Sequence, residues 1–222
     1  MKIIIGIATL GGKERFETLA LTVDSLNNNT IKPDHIHVYD NSTESTDHSD
    51  LAKFYFLKQY DEPIYYFSCD DDILYSKTYI EDMINAIEKH KTIVTHHGRI
   101  LKKLDVNYYN GGHKPFACLH ENLHERLIDV AGTGVTAFRT DYFNPVDLYK
   151  QSYKFKRMSD IVFSYEAAKQ NKFITILPHP KGYFKDLSKN QTDSCYLSER
   201  RNTMNQTFLC NLIIKLKGKA RI

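Results

Sequence analysis

The stretch KIIIGIATLGG, Lys2–Gly12, is apolar from Ile3 to Ala8 and dense in β-branched residues. A continuous apolar run without alternation marks a strand covered on both faces, so it reads as the central strand of a buried sheet. LGGK breaks the run, and Phe16, Leu19, Ala20, Val23 and Leu26 then recur at helical spacing, predicting an amphipathic helix over 13–28. Outward from there, HIHVYD (35–40) reads as a second strand, NSTESTDHSD as turn-forming, and 51–57 as a short helix. Residues 64–68 read as a third strand, Ile80, Met83, Ile84 and Ile87 as a helix stripe, and TIVTHH (92–97) as a fourth strand. This β-α-β alternation predicts a Rossmann-like α/β fold, with a mostly parallel central sheet flanked by helices. Ligands of such sheets sit beyond the carboxyl ends of the strands. Chemistry is therefore expected at Ala8–Arg15, Asp40–Ser42 and Asp70–Asp72.

The second half is less periodic. Residues 102–122 read as loop-rich, 129–143 as a strand with glycines near its start, and 159–171 as a helix with Ser159 at its N-cap. FITILPHP is a strand stopped by prolines, and Met204, Phe208, Leu209, Leu212, Ile213 and Leu216 mark a C-terminal helix. With 222 residues and no linker or repeat, one domain over 1–222 is expected, comprising a half over 1–100, a half over 101–197 and a helix over 198–222. A formal charge of +3 without a long basic block gives no reason to expect a nucleic-acid partner. Cys69, Cys118, Cys195 and Cys210 form no CxxC or CxxH pair, which speaks against structural zinc and for reduced thiols in the cytoplasm. No run reaches membrane-spanning length. The basic end KLKGKARI fits a helix with cations at its own C-terminus, and at most peripheral membrane contact.

Asp70, Asp71 and Asp72 follow the third strand directly. At about 6 Å and an effective dielectric near 20, each like pair costs on the order of 2–3 kcal/mol. Solvation, raised pKa values or a cation can relieve that cost, and on a ligand-binding sheet edge hard oxygen donors suit Mg²⁺ or Mn²⁺.

The ordered set of segments resembles the GT-A-fold, nucleotide-sugar-dependent glycosyltransferases, nearest to the family-2 type. IIIGIATLGGKERFETLALTVDSL is similar to that family's first strand, nucleotide-contacting loop and first helix. IHVYDNSTEST is similar to its second strand, and YYFSCDDDILYSKTYIEDM to its DxD segment. AGTGVTAFRTDYF is similar to its acceptor-side strand, and MSDIVFSYEAAKQNKFITILP to its later segment, together covering about residues 1–180. The resemblance implies a Mn²⁺ or Mg²⁺ cofactor with Asp72 as ligand. Asp70 would contact the ribose or share the metal, and Asp71 would take either job. Asp40 would hydrogen-bond a base with a ring N–H, uracil or guanine, or else begin an Asx-turn with Ser42. Thr9 and Arg15 would line the nucleotide site, with Arg15 or Lys13 meeting phosphate. Asp160 would be the general base of an inverting transfer, with Glu166 as its alternative. His179 would be a late metal ligand. His113, His120, His124, Tyr108 and Tyr109 would face an acceptor sugar.

The activity implied is transfer of a hexosyl or deoxyhexosyl group from a nucleoside-diphosphate sugar, UDP before GDP, to a hydroxyl of a glycan, glycolipid or glycoprotein. A dinucleotide-dependent oxidoreductase is disfavoured because GIATLGG is not GxGxxG. A metal-dependent phosphohydrolase lacks a Thr or Lys partner set. That phosphohydrolase and a non-catalytic nucleotide- or glycan-binding module are the two alternatives that remain.

Overall fold

A computed structural model describes residues 1–102, 108, 111–188 and 204–220. β1 (Ile3–Thr9) pairs in parallel with both β2 (His35–Asp40) and β3 (Tyr65–Cys69). Its side chains alternate between two cores. Ile4 packs on one face with Tyr66, and Ile3, Ile5 and Ile7 on the other with Phe67 and Cys69. Burying each of these isoleucines contributes about 1.5–3 kcal/mol.

The seven-stranded sheet runs β2-β1-β3-β10-β5-β11-β8, with β5 at Ile93–Thr95, β8 at Arg126–Ile128, β10 at Val135–Arg139 and β11 at Ile174–Ile176. It is mixed, which corrects the mostly parallel sheet expected from the alternation. β5 and β11 are parallel, whereas β10 is antiparallel to both β3 and β5, and β8 is antiparallel to β11. Two small antiparallel sheets complete the fold. One joins β4 (Ile73–Tyr75) to β12 (Phe184–Asp186). The other joins β6 (Gly98–Leu101) to β7 (His113–Phe116) and β9 (Val130–Ala131). β4 stands between the Asp triplet and the helix that follows it, so none of the three acids caps that helix.

Helices cover both faces. α1 (Lys13–Asn27) and α2 (Tyr79–His90) pack on the Ile5 face through Leu19, Val23, Leu26, Ile80, Met83 and Ile87. The opposite face carries the 3₁₀ segment Ser49–Gln59, α3 (Ser159–Lys169) and α4 (Met204–Ala220). Ser159 is the first residue of α3 rather than its N-cap. Met158 holds that position, and the Ser159 hydroxyl pairs with Thr133 Oγ1 at 2.8 Å.

α4 buries Leu209, Cys210 and Ile213, and Lys217 donates to Ile128 O at 2.8 Å. The C-terminal helix is thus part of the core. Among the described residues no helix is long and apolar enough to cross a membrane. Cys69, Cys118 and Cys210 are buried free thiols, and burial raises the pKa of each to about 12. Cys195 lies outside the described residues.

Candidate functional site

The carboxyl ends of β1, β2 and β3 meet at two cavities of about 220 Å³ each, which share Asp50, Lys53, Asp70 and Arg157 in their walls. The loop after β1 turns through Gly11 and Gly12, at φ 73° and 92°, a region that favours glycine. A Cβ on Gly11 would lie 2.1 Å from Ser42 Oγ, so the loop rests on the end of β2. There Asp40 Oδ1 accepts from Ser42 N at 2.9 Å and Ser42 Oγ at 2.7 Å. This is the Asx-turn weighed for Asp40, and it occupies one carboxylate oxygen. Asn41 ties the same corner together. Its Nδ2 donates to Thr9 O at 3.1 Å and Ser49 O at 3.0 Å, and its Oδ1 accepts from His48 N at 2.9 Å.

The three acids separate by role. Asp71 turns inward and is 4% exposed, where Arg15 Nη1 donates to its two oxygens at 2.9 and 3.2 Å. Burial raises the Asp71 pKa, and the Thr9 hydroxyl and Arg15 pull it back. Arg15 therefore meets a neighbouring carboxylate, and Thr9 stands beside the same group. Asp70 pairs with the ammonium of Lys53, a lysine whose side chain is 4% exposed. Burial alone would lower the Lys53 pKa. Asp70 foremost, with Asp50 and Asp160, overcomes it and raises that pKa above the ordinary lysine value. For Asp72, burial and then the charges of Asp70 and Asp71 push the pKa up to about 7.

Asp160 comes from the far half of the chain, in the first turn of α3. Its Oδ1 accepts from Thr133 N at 2.8 Å and Thr133 Oγ1 at 2.9 Å. Gly134, one residue on, lies against Asp70. Its carbonyl accepts from Asp70 N at 3.3 Å, and a Cβ there would stand 1.9 Å from Asp70 Oδ2. The turn 132–134 thus touches both carboxylates, and Asp70 and Asp160 line the same cavity.

Several expected residues lie elsewhere. His179 is buried, with Nε2 beside the carbonyls of Cys118 at 3.1 Å and His120 at 2.8 Å, and Nδ1 3.2 Å from His96 Nδ1. Its ring nitrogens are thereby engaged, and the structure does not bring it together with Asp70 and Asp72. Glu166 pairs with Lys169 and accepts from Gln170 Nε2 at 3.0 Å. Tyr108, by contrast, does line the first cavity with Asp70 and Asp160; it is buried with Arg99 stacked 4.0 Å from its ring centroid, and His113 Nε2 is 3.0 Å from Arg99 Nη1. His120 and His124 are exposed, outside the two cavities. Tyr109 lies outside the described residues.

Sequence reasoning missed Lys53, Asp50 and Arg157. Lys53 had a signal: one charge inside the apolar run LAKFYFL, at a position where a solvated lysine has no place.

The donor chemistry fits a divalent cation. Asp70 and Asp72 offer hard oxygens; burial first and then the charges of Asp70 and Asp71 raise the Asp72 pKa, and a bound cation would offset both. Mg²⁺ commonly takes one or two carboxylates from a protein and the rest of its ligands from phosphates and water. Among the described residues no three His, Cys, Asp or Glu side chains form a ready-made metal cluster.

No family model matches the chain, and no curated protein matches it. Among solved structures it is similar to one described as A197 from STIV, at 12% identity and TM-score 0.42, over 83% of this chain and 84% of that one. A likeness of that size carries no argument about function.

Proposed function

We propose that the cleft is the active site of a metal-dependent glycosyltransferase of GT-A-like arrangement. It transfers a hexosyl or deoxyhexosyl group from a nucleoside-diphosphate sugar, UDP before GDP, to a hydroxyl of a glycan, glycolipid or glycoprotein, with inversion. One observation carries the reading: the turn 132–134 touches the acid after β3 through Gly134 and the acid of α3 through Thr133. The two carboxylates that this reading assigns to donor and acceptor are thereby held relative to one another by adjacent residues, Thr133 and Gly134.

In this reading Asp70 and Asp72 hold Mn²⁺ or Mg²⁺, whose chemistry when bound is to neutralise charge on the leaving diphosphate. Arg15 fixes Asp71, and Lys53 fixes Asp70 and offsets its charge. Asp160, oriented through Oδ1 by Thr133, takes the proton of the acceptor hydroxyl. The acceptor oxygen attacks the anomeric carbon from the opposite face, and the bond from that carbon to the diphosphate breaks with its electron pair on the nucleotide. Asp40 keeps its second oxygen for the base. The free thiols support a reducing, cytoplasmic compartment.

Calorimetry with a panel of nucleotide sugars, with and without Mn²⁺, tests the reading. One nucleotide should bind wild type in a metal-dependent way, and Asp72→Ala should lose that dependence. Asp160→Asn should still bind donor while transfer falls roughly 10²-fold or more. Failure of every nucleotide sugar to bind, or binding indifferent to both metal and Asp72, would sink it.

A further inference from the structure

The first of the two cavities extends from Asp70 and Asp160 to Arg99, Tyr108 and Gln206. Its far wall is built from Arg99 on β6 and Gln206 on α4, and its near wall from Asp50, Arg157 and Asp160. Among the described residues, three members of this lining each carry a buried polar atom without a hydrogen-bond partner: Asp50 Oδ1, Arg99 Nε and Gln206 Oε1. Gln206 is 1% exposed. A buried polar group without a partner destabilises the folded chain, and three around one cavity are a cost that a ligand would remove.

The charges sort the ligand further. Lys53 is matched by Asp70. Arg99 has neutral partners, Tyr108 O at 2.9 Å and His113 Nε2 at 3.0 Å, and among the described residues no carboxylate pairs with it. Gln206 Oε1 and Asp50 Oδ1 accept hydrogen bonds and so call for hydroxyl donors. Arg99 Nε donates and carries charge, so it calls for an anionic acceptor.

We propose that this cavity is the acceptor subsite, and that it takes a sugar bearing an acidic group, a carboxylate or a phosphate, beside free hydroxyls. The acidic group is held by Arg99, the hydroxyls by Gln206 and Asp50, and one hydroxyl faces Asp160. The assignment of the subsite as an acceptor site rests on the glycosyltransferase reading; the recognition of an acidic sugar does not.

The test is binding without turnover. Glucuronate, glucose 6-phosphate and glucose are titrated into the full chain by ligand-observed NMR, with no nucleotide or metal, and a UDP–Mn²⁺ titration is run in parallel. Either or both acidic sugars should bind at least about tenfold more tightly than glucose, the factor expected of one charge-assisted hydrogen bond. The winning arm distinguishes carboxylate from phosphate. Arg99→Gln should abolish the preference for acidic sugars and leave UDP–Mn²⁺ binding unchanged. Gln206→Met should weaken acidic and neutral sugars alike, and it keeps the proposal testable if Arg99→Gln does not fold. Equal affinity for all three sugars, or a preference that survives Arg99→Gln, overturns the proposal even where UDP–Mn²⁺ binds. An acidic-sugar preference in a chain that binds no member of the nucleotide-sugar panel upholds the acidic-sugar site and removes the glycosyltransferase reading.

Discussion

A methyl group added at Gly134 would lie 1.9 Å from Asp70 Oδ2, whereas one added at Gly6 would lie 2.1 Å from the backbone oxygen of Lys53. These two clashes have different consequences. At Gly134 the neighbour is a side-chain end, so Gly134→Ala should leave the fold intact by circular dichroism. If the proposed function holds, metal-dependent nucleotide binding should weaken by roughly tenfold or more, because Asp70 must move. At Gly6 the neighbour is main chain, and Tyr66 OH donates to the same Lys53 carbonyl at 2.6 Å. Gly6→Ala should cost about 1–3 kcal/mol or more in urea unfolding, as overpacking does. Asp72 gives a third outcome. Its pKa is raised to about 7 by burial first and its acidic neighbours next, so above that pH the folded chain carries a charge it does not neutralise. Asp72→Asn should therefore stabilise the metal-free protein at pH 8, by about 1–2 kcal/mol after solvent screening. The gain should fade as pH falls towards the unfolded value near 4. Urea midpoints at pH 8 and pH 5 check it, and a destabilised variant at pH 8 would contradict it.

Single elements carry the next set of consequences. α4 closes one core with Leu209, Cys210 and Ile213, and Ile213 is fully buried. Ile213→Ala should cost about 2–5 kcal/mol by chemical denaturation, the range for an aliphatic side chain truncated in a packed core. A helix whose apolar stripe served only a membrane surface would show almost no change. The residue after β5 has a pH signature. Burial, and then the neighbouring His179, lower the His96 pKa to about 3 from the ordinary 6.5. Below pH 6.5 the unfolded chain takes a proton that folded His96 refuses, so this contribution to stability is complete above 6.5 and is lost towards 3. Between pH 7 and pH 5 wild type should lose about 2 kcal/mol relative to His96→Leu. A difference that stays flat across that interval would show that His96 protonates normally in the folded state. Comparing the two proteins is necessary because Asp72 tilts the wild-type curve the other way.

Across the whole molecule, the legible part of the fold is the part where burial writes itself into composition. The runs Ile3–Ala8 and Ile64–Phe67 are apolar on both faces because helices cover both. The direction of β10 was not legible. An apolar strand between two others looks the same whether it runs up or down the sheet, and only its ladder with β3 and β5 distinguishes them. The Asp triplet, Asp160 and the glycine turn were visible as residues at strand and helix ends. Their mutual contact was not, because Asp70 and Gly134 are 64 positions apart in the chain. Lys53 was hidden for a related reason: an ion pair between the 3₁₀ segment and the end of β3 leaves only one odd charge in an apolar run.

The buried thiols supply a built-in clock. Cys69 immediately precedes Asp70 on β3, and its thiolate is suppressed at neutral pH, so an alkylating reagent can reach it only when that strand opens. With Cys195 replaced by serine, the rate of Cys69 modification followed by mass spectrometry becomes a direct readout of how often the sheet breathes next to the acids. Whatever docks on Asp70 should slow that rate, while Cys210, on the opposite core, serves as the internal timer for opening of α4.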